Sequence, residues 1–136
     1  MAASIDAFFY GLFMDEGVLT TSGVMPRHGR KARLDGFALR IGKRATLVRQ
    51  AGGTAWGMVF TLTQVELDRI YGAPGLELYR PEEVEVTLEN RAIITAVAYN
   101  LPKAPGPHER NPDYAERLKK VLTRLEFPAD YIARIG

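Results

Sequence analysis

From residue 5 to residue 99 this chain is a series of short apolar runs separated by turn residues, and only after Asn111 does the apolar spacing become helical. Short alternating runs suit strands, because successive side chains of a strand face opposite sides of a sheet. Phe37, Leu39 and Ile41 alternate with small or polar neighbours and predict a strand over 34–41, closed by a turn at Gly42-Lys43. Residues 46–50 and 55–62 flank Ala51-Gly52-Gly53-Thr54, a pair of strands joined by a hairpin connection, with Trp56, Met58, Phe60 and Leu62 on one face. Residues 83–88 and 92–99 predict a second hairpin about Glu89-Asn90-Arg91.

Two helical regions interrupt and close this β-structure. Thr63-Gln64-Val65-Glu66 has the capping-box form, Leu67 and Ile70 give an inward face, and Gly72 is expected to supply a left-handed stop. Asn111 is a good N-cap and Pro112 suits the first helical position. Tyr114, Leu118, Val121, Leu122 and Leu125 then recur on one face, and a second short helix near Pro128 presents Tyr131, Ile132 and Ile135. The pattern predicts an α+β fold with a largely antiparallel, barrel-like sheet, a short internal helix and C-terminal helices. One domain is expected over 1–136, with a flexible loop at 101–110 carrying Pro105 and Pro107.

Composition narrows the functional classes. The chain has no cysteine, which excludes disulfides, thiolate zinc sites and a cysteine nucleophile and fits a reducing cytoplasm. An apolar share of 46% and a charged share of 25% are ordinary for a folded domain. The N-terminal stretch has no basic region, and Asp15 and Glu16 interrupt the following apolar run, so neither a signal peptide nor a membrane anchor is expected. The net charge of +2 identifies no partner. Arg27, His28, Arg30, Lys31 and Arg33 form a basic cluster without interleaved aromatic residues, which reads as a solvated loop entering the next strand in preference to a nucleic-acid surface.

No phosphate-binding glycine loop, HExxH or Gly-x-Ser-x-Gly motif occurs, and His28 and His108 lie apart in predicted loops, so no cofactor or metal is implied. The unusual segment is Phe8-Phe9-Tyr10-Gly11-Leu12-Phe13, within an apolar run over 5–14. Glycine in an aromatic strand has two readings. It marks a bulge in a core strand, or it lets the amides of Leu12 and Phe13 approach a ligand oxygen.

Phe9-Tyr10-Gly11-Leu12, Trp56-Gly57-Met58-Val59-Phe60, Leu67-Asp68, Leu78-Tyr79-Arg80, Val84-Glu85-Val86 and Ala98-Tyr99, in this order, resemble the γ-glutamylcyclotransferase (AIG2-like) superfamily. Asn111-Pro112-Asp113-Tyr114 and Phe127-Pro128-Ala129-Asp130-Tyr131 resemble its closing helices. The resemblance implies a small mixed barrel with a cavity, in which a γ-glutamyl group is cyclised to 5-oxoproline. It also implies a substrate loop typically reading Tyr-Gly-Ser, whose amides stabilise developing charge. Here Tyr10-Gly11 is kept and Leu12 replaces the serine. The family's general-base glutamate precedes a glycine at the end of the capped helix, where this chain has Tyr71 before Gly72. A phenol of ordinary pKa near 10 is a poor base at pH 7.

These departures imply a pocket formed by Tyr10, Gly11, Leu12, Phe13, Tyr71 and Tyr79, suited to a γ-glutamyl, amide or carboxylate ligand, with altered or absent catalysis. Arg80 faces either the cavity or water on this reading. Two alternatives stand beside it: true cyclisation with Glu77 or the substrate as base, and an interaction module whose cavity is filled by Phe8, Phe13 and Tyr71. The expected partner is a small molecule, with nucleic acid and membrane disfavoured. The sequence is compatible with a monomer or a homodimer.

Overall fold

A computed structural model describes residues 3–135, and Met1 and Ala2 of the N-terminal stretch lie outside the described residues. Five strands close into a barrel: β1 (Ser4–Phe9), β2 (Arg27–Ile41), β3 (Ala45–Thr63), β4 (Arg80–Leu88) and β5 (Ile93–Asn100), in spatial order β1-β3-β2-β4-β5. Every pairing is antiparallel except the closing one, where β1 meets β5 in parallel at Ala7↔Val97. The α+β mixed barrel expected from the sequence is the fold observed.

Period-two alternation gives this barrel two buried faces. Phe8, Leu34, Phe37, Leu47, Val59, Val86 and Ala98 belong to a core made from strand residues and the Tyr10 that follows β1, which fills the barrel interior. Phe9, Phe60 and Leu62 instead meet the helices, in a second core with Leu67, Leu118, Leu122 and Tyr131. Closure rests on short contacts, β2 meeting β4 only at Ala32↔Leu88 and Arg33↔Thr87.

The helices are α1 (Glu16–Thr21), α2 (Gln64–Tyr71), α3 (Pro112–Arg124) and α4 (Ala129–Ala133). In α2 the capping box is complete: the Glu66 amide donates to the Thr63 hydroxyl at 3.2 Å and the Thr63 amide to the Glu66 carboxylate at 2.9 Å. Asn111 caps α3 by accepting from the Tyr114 amide at 3.2 Å, with Pro112 at the first position. Leu118 and Leu122 are fully buried beneath α3, each contributing about 1.5–3 kcal/mol.

Four local expectations are corrected. The run over 5–14 is not one strand, because β1 stops at Phe9 and residues Leu12–Met14 form a 3-10 turn, with the Met14 amide donating to the Gly11 carbonyl at 3.0 Å. The turn leads into α1, whose Asp15 cap accepts from the Gly17 amide at 2.9 Å. An element of six residues is too short to show helical periodicity.

Residues 46–50 and 55–62 belong to one strand, and Gly52-Gly53 form no hairpin turn. The register passes from Asp35↔Thr54 to Phe37↔Arg49, so β3 bulges between them while its partner continues. The hairpin turn is at Gly42-Lys43. The basic cluster Arg27–Arg33 is itself β2, not a loop, and Arg30 is fixed by Asp6 at 3.0 Å across the barrel wall. Finally, Gly72 has φ −85 and the left-handed residue is Gly75, at φ +89, so α2 ends without the expected motif.

Candidate functional site

At one end of the barrel the elements converge without sealing, leaving a cavity of about 260 Å³. Its first wall is the chain leaving β1, from Phe9 through Tyr10, Gly11 and Leu12 to Phe13. Tyr71 closes α2 against it, Leu76 and Tyr79 enter from the following loop, and Tyr99 comes from the end of β5. The N-terminal turns of α3 add Tyr114 and Arg117, and the β2–β3 turn adds Lys43, Arg44 and Ala45.

The aromatic groups order one another. Tyr71 stacks on Tyr99 with ring centroids 4.0 Å apart and planes 10° from parallel. Tyr79 lies 5.8 Å from Tyr71, and Phe13 packs edge-on at 6.1 Å. Such pairs are worth about 0.5–1.5 kcal/mol each beyond their area burial.

Each phenol has a different polar role. The Tyr10 hydroxyl donates to the Tyr99 carbonyl at 2.7 Å, and the Tyr79 hydroxyl donates to the Ala45 carbonyl. The Tyr114 hydroxyl accepts from the Leu12 amide at 3.2 Å. This contact explains Gly11, because a Cβ there would overlap the Tyr114 hydroxyl. Gly11 therefore marks no strand bulge: it admits a phenol that occupies the Leu12 amide. The Tyr71 hydroxyl makes no hydrogen bond among the described residues.

Desolvation is the leading reason that Tyr71 and Tyr10 are pushed well above the ordinary phenol range, with neighbouring phenols adding to it. Tyr79 and Tyr114 shift upward, again chiefly through burial, with Arg44 pulling against the first and Arg117 against the second. Tyr10, Tyr71, Tyr79 and Tyr114 are thus neutral phenols that do not remove protons at neutral pH.

All six residues expected at a pocket, Tyr10, Gly11, Leu12, Phe13, Tyr71 and Tyr79, line this cavity. Glu77 does not line it and is exposed, with its carbonyl accepting from Arg80 at 2.6 Å. That contact and one to the Tyr79 carbonyl hold Arg80 on the water side. Phe8 fills the barrel interior, so the expected filling by Phe8, Phe13 and Tyr71 does not occur. His28 and His108 are exposed, and no metal-ligand cluster occurs among the described residues. No helix among the described residues is long and apolar enough to cross a membrane.

Sequence reasoning missed Tyr99, Tyr114, Lys43, Arg44 and Arg117. Tyr114 was legible as part of the inward face of α3, but nothing local tells that its hydroxyl reaches the other end of the chain.

The family model described as gamma-glutamyl cyclotransferase, AIG2-like, matches residues 7–119. The chain belongs to this family. Members of the γ-glutamyl cyclotransferase group share its fold at low identity. A solved gamma-glutamyl cyclotransferase is 20% identical with a TM-score of 0.79, the alignment covering 98% of this chain and 89% of that one. A crystal structure of an uncharacterized human protein aligns with a TM-score of 0.80 at 20% identity, covering 98% and 88%. A yeast γ-glutamyl cyclotransferase specific to glutathione aligns with a TM-score of 0.64 at 15% identity, covering 96% and 95%. No curated protein matches the sequence.

Proposed function

We infer that this γ-glutamyl cyclotransferase-family chain keeps a small-molecule pocket for a γ-glutamyl, amide or carboxylate ligand while its cyclisation chemistry is altered or lost. The observation that carries this reading is the absence of any carboxylate among the residues lining the cavity. By the family resemblance, Tyr71 stands where a glutamate takes a proton from the substrate's α-amine and returns it to the leaving amine. A half-buried, neutral phenol supplies hydrogen bonding there but not the base, and loss of a positioned general base costs about 10²- to 10⁴-fold in rate. The amide of Leu12, which resembles an oxyanion donor in the family loop, is already engaged by Tyr114.

The test is incubation of the purified protein with γ-glutamyl dipeptides and quantification of 5-oxoproline. Release at the level of a buffer blank is expected. Steady turnover that Glu77→Gln abolishes would replace this reading with active cyclisation by a substitute base.

A further inference from the structure

The charges around the cavity are as one-sided as its floor is neutral. Lys43, Arg44 and Arg117 are its ionised lining groups, with no aspartate or glutamate among the lining residues. Neither Arg44 nor Arg117 forms an ion pair among the described residues. Arg44 is half-buried and packs against the backbone of Gly75, while Arg117 is exposed on α3 beside Tyr114. Lys43 differs, because its backbone amide is held by the Glu109 carboxylate at 3.2 Å, which brings a negative charge to its side of the turn. The uncompensated positive charge therefore belongs to the two arginines.

Two backbone acceptors at the cavity are already in use. The Tyr99 and Ala45 carbonyls accept from the Tyr10 and Tyr79 hydroxyls. An ammonium entering this space would leave water, meet like charge at the rim and find no carboxylate, each of which disfavours it. A carboxylate also leaves water, but it meets opposite charge, with guanidinium groups that match its geometry.

Resting on the pocket reading above, we propose that the cavity selects ligands that carry a carboxylate and no ammonium group, the carboxylate facing Arg44 and Arg117 and an amide or apolar body lying on the tyrosines. The substrate or ligand class is then a des-amino relative of a γ-glutamyl compound, not the zwitterion itself.

A matched pair isolates the point: γ-glutamyl-alanine and N-glutaryl-alanine share one backbone and differ by the α-ammonium. Calorimetric titration of the intact protein should give glutaryl-alanine an affinity about tenfold or more above that of γ-glutamyl-alanine. Arg44→Gln and Arg117→Gln, checked for native circular dichroism, should each weaken glutaryl-alanine about tenfold and flatten its salt dependence. Equal or tighter binding of γ-glutamyl-alanine overturns the selectivity while leaving the pocket reading intact. Binding of neither compound overturns both. Unchanged affinity in both arginine variants overturns the placement of the carboxylate, and with it the inference.

Discussion

Two glycines mark the contrast between the barrel interior and the cavity beside it. A Cβ on Gly57 would run into the Phe9 carbonyl and the Phe8 ring, so the obstacle is the backbone of β1 and a fully buried side chain. A Cβ on Gly11 would run into the Tyr114 hydroxyl, the far end of one side chain. The interior is close-packed and has nowhere to relax, whereas the cavity wall borders open space. Added volume is thus resisted more firmly at Gly57 in the barrel wall than at Gly11 beside the cavity.

The sharpest way to break this contrast is Gly57→Ala. It should cost about 3 kcal/mol or more, the upper end for overpacking, read as a lowered denaturation midpoint. A cost below that of Gly11→Ala would mean the interior yields more easily than the cavity. Gly11→Ala should cost about 2 kcal/mol and displace Tyr114 from the Leu12 amide. Adding Tyr114→Phe to it should return part of that loss, since the clashing oxygen is gone, and a thermal-melt double-mutant cycle measures the coupling. Strict additivity of the two changes would contradict the contact.

Alkaline pH probes both regions at once. Burial raises the folded-state pKa of Tyr10 and Tyr71, so the neutral phenol is the form that the fold favours. Their contribution is complete below the unfolded value near 10 and is lost as pH rises through the folded values. For a well-buried group such as Tyr10 the loss is roughly 1.4 kcal/mol per pH unit above about 10. Denaturant midpoints measured from pH 8 to 11 should therefore hold level and then fall, and a midpoint rising above pH 10 would contradict the sign. Tyr71→Phe should change stability least, within about 0.5 kcal/mol, because it keeps the stacked ring and removes a hydroxyl with no bond to described residues.

The same division governs what could be read from the sequence. Strand alternation, the Thr63 capping box and the Asn111-Pro112 start of α3 are local signals, and local hydrogen bonds enforce the two helix starts. The path of the chain through Gly11 and Gly52-Gly53 was misjudged because its cause is not local. The 3-10 turn follows from a phenol 102 positions away that needs the space, and the bulge in β3 follows from continuous pairing with β2 on either side. The aromatic wall of the cavity was visible through the resemblance at Tyr10, Tyr71 and Tyr79. Its positive rim was not, since Arg44 and Arg117 carry no motif and come to line one cavity only after the barrel closes.

The central claim is that the phenol ending α2 stays protonated and so cannot act as a base. Tyrosinate absorbance of the native protein, followed from pH 6 to 10 and compared with Tyr71→Phe, addresses it directly. The two curves should superimpose over this range, because Tyr71 ionises only above it. A phenolate signal with a midpoint near neutrality, present in the parent and missing from the variant, would contradict the account.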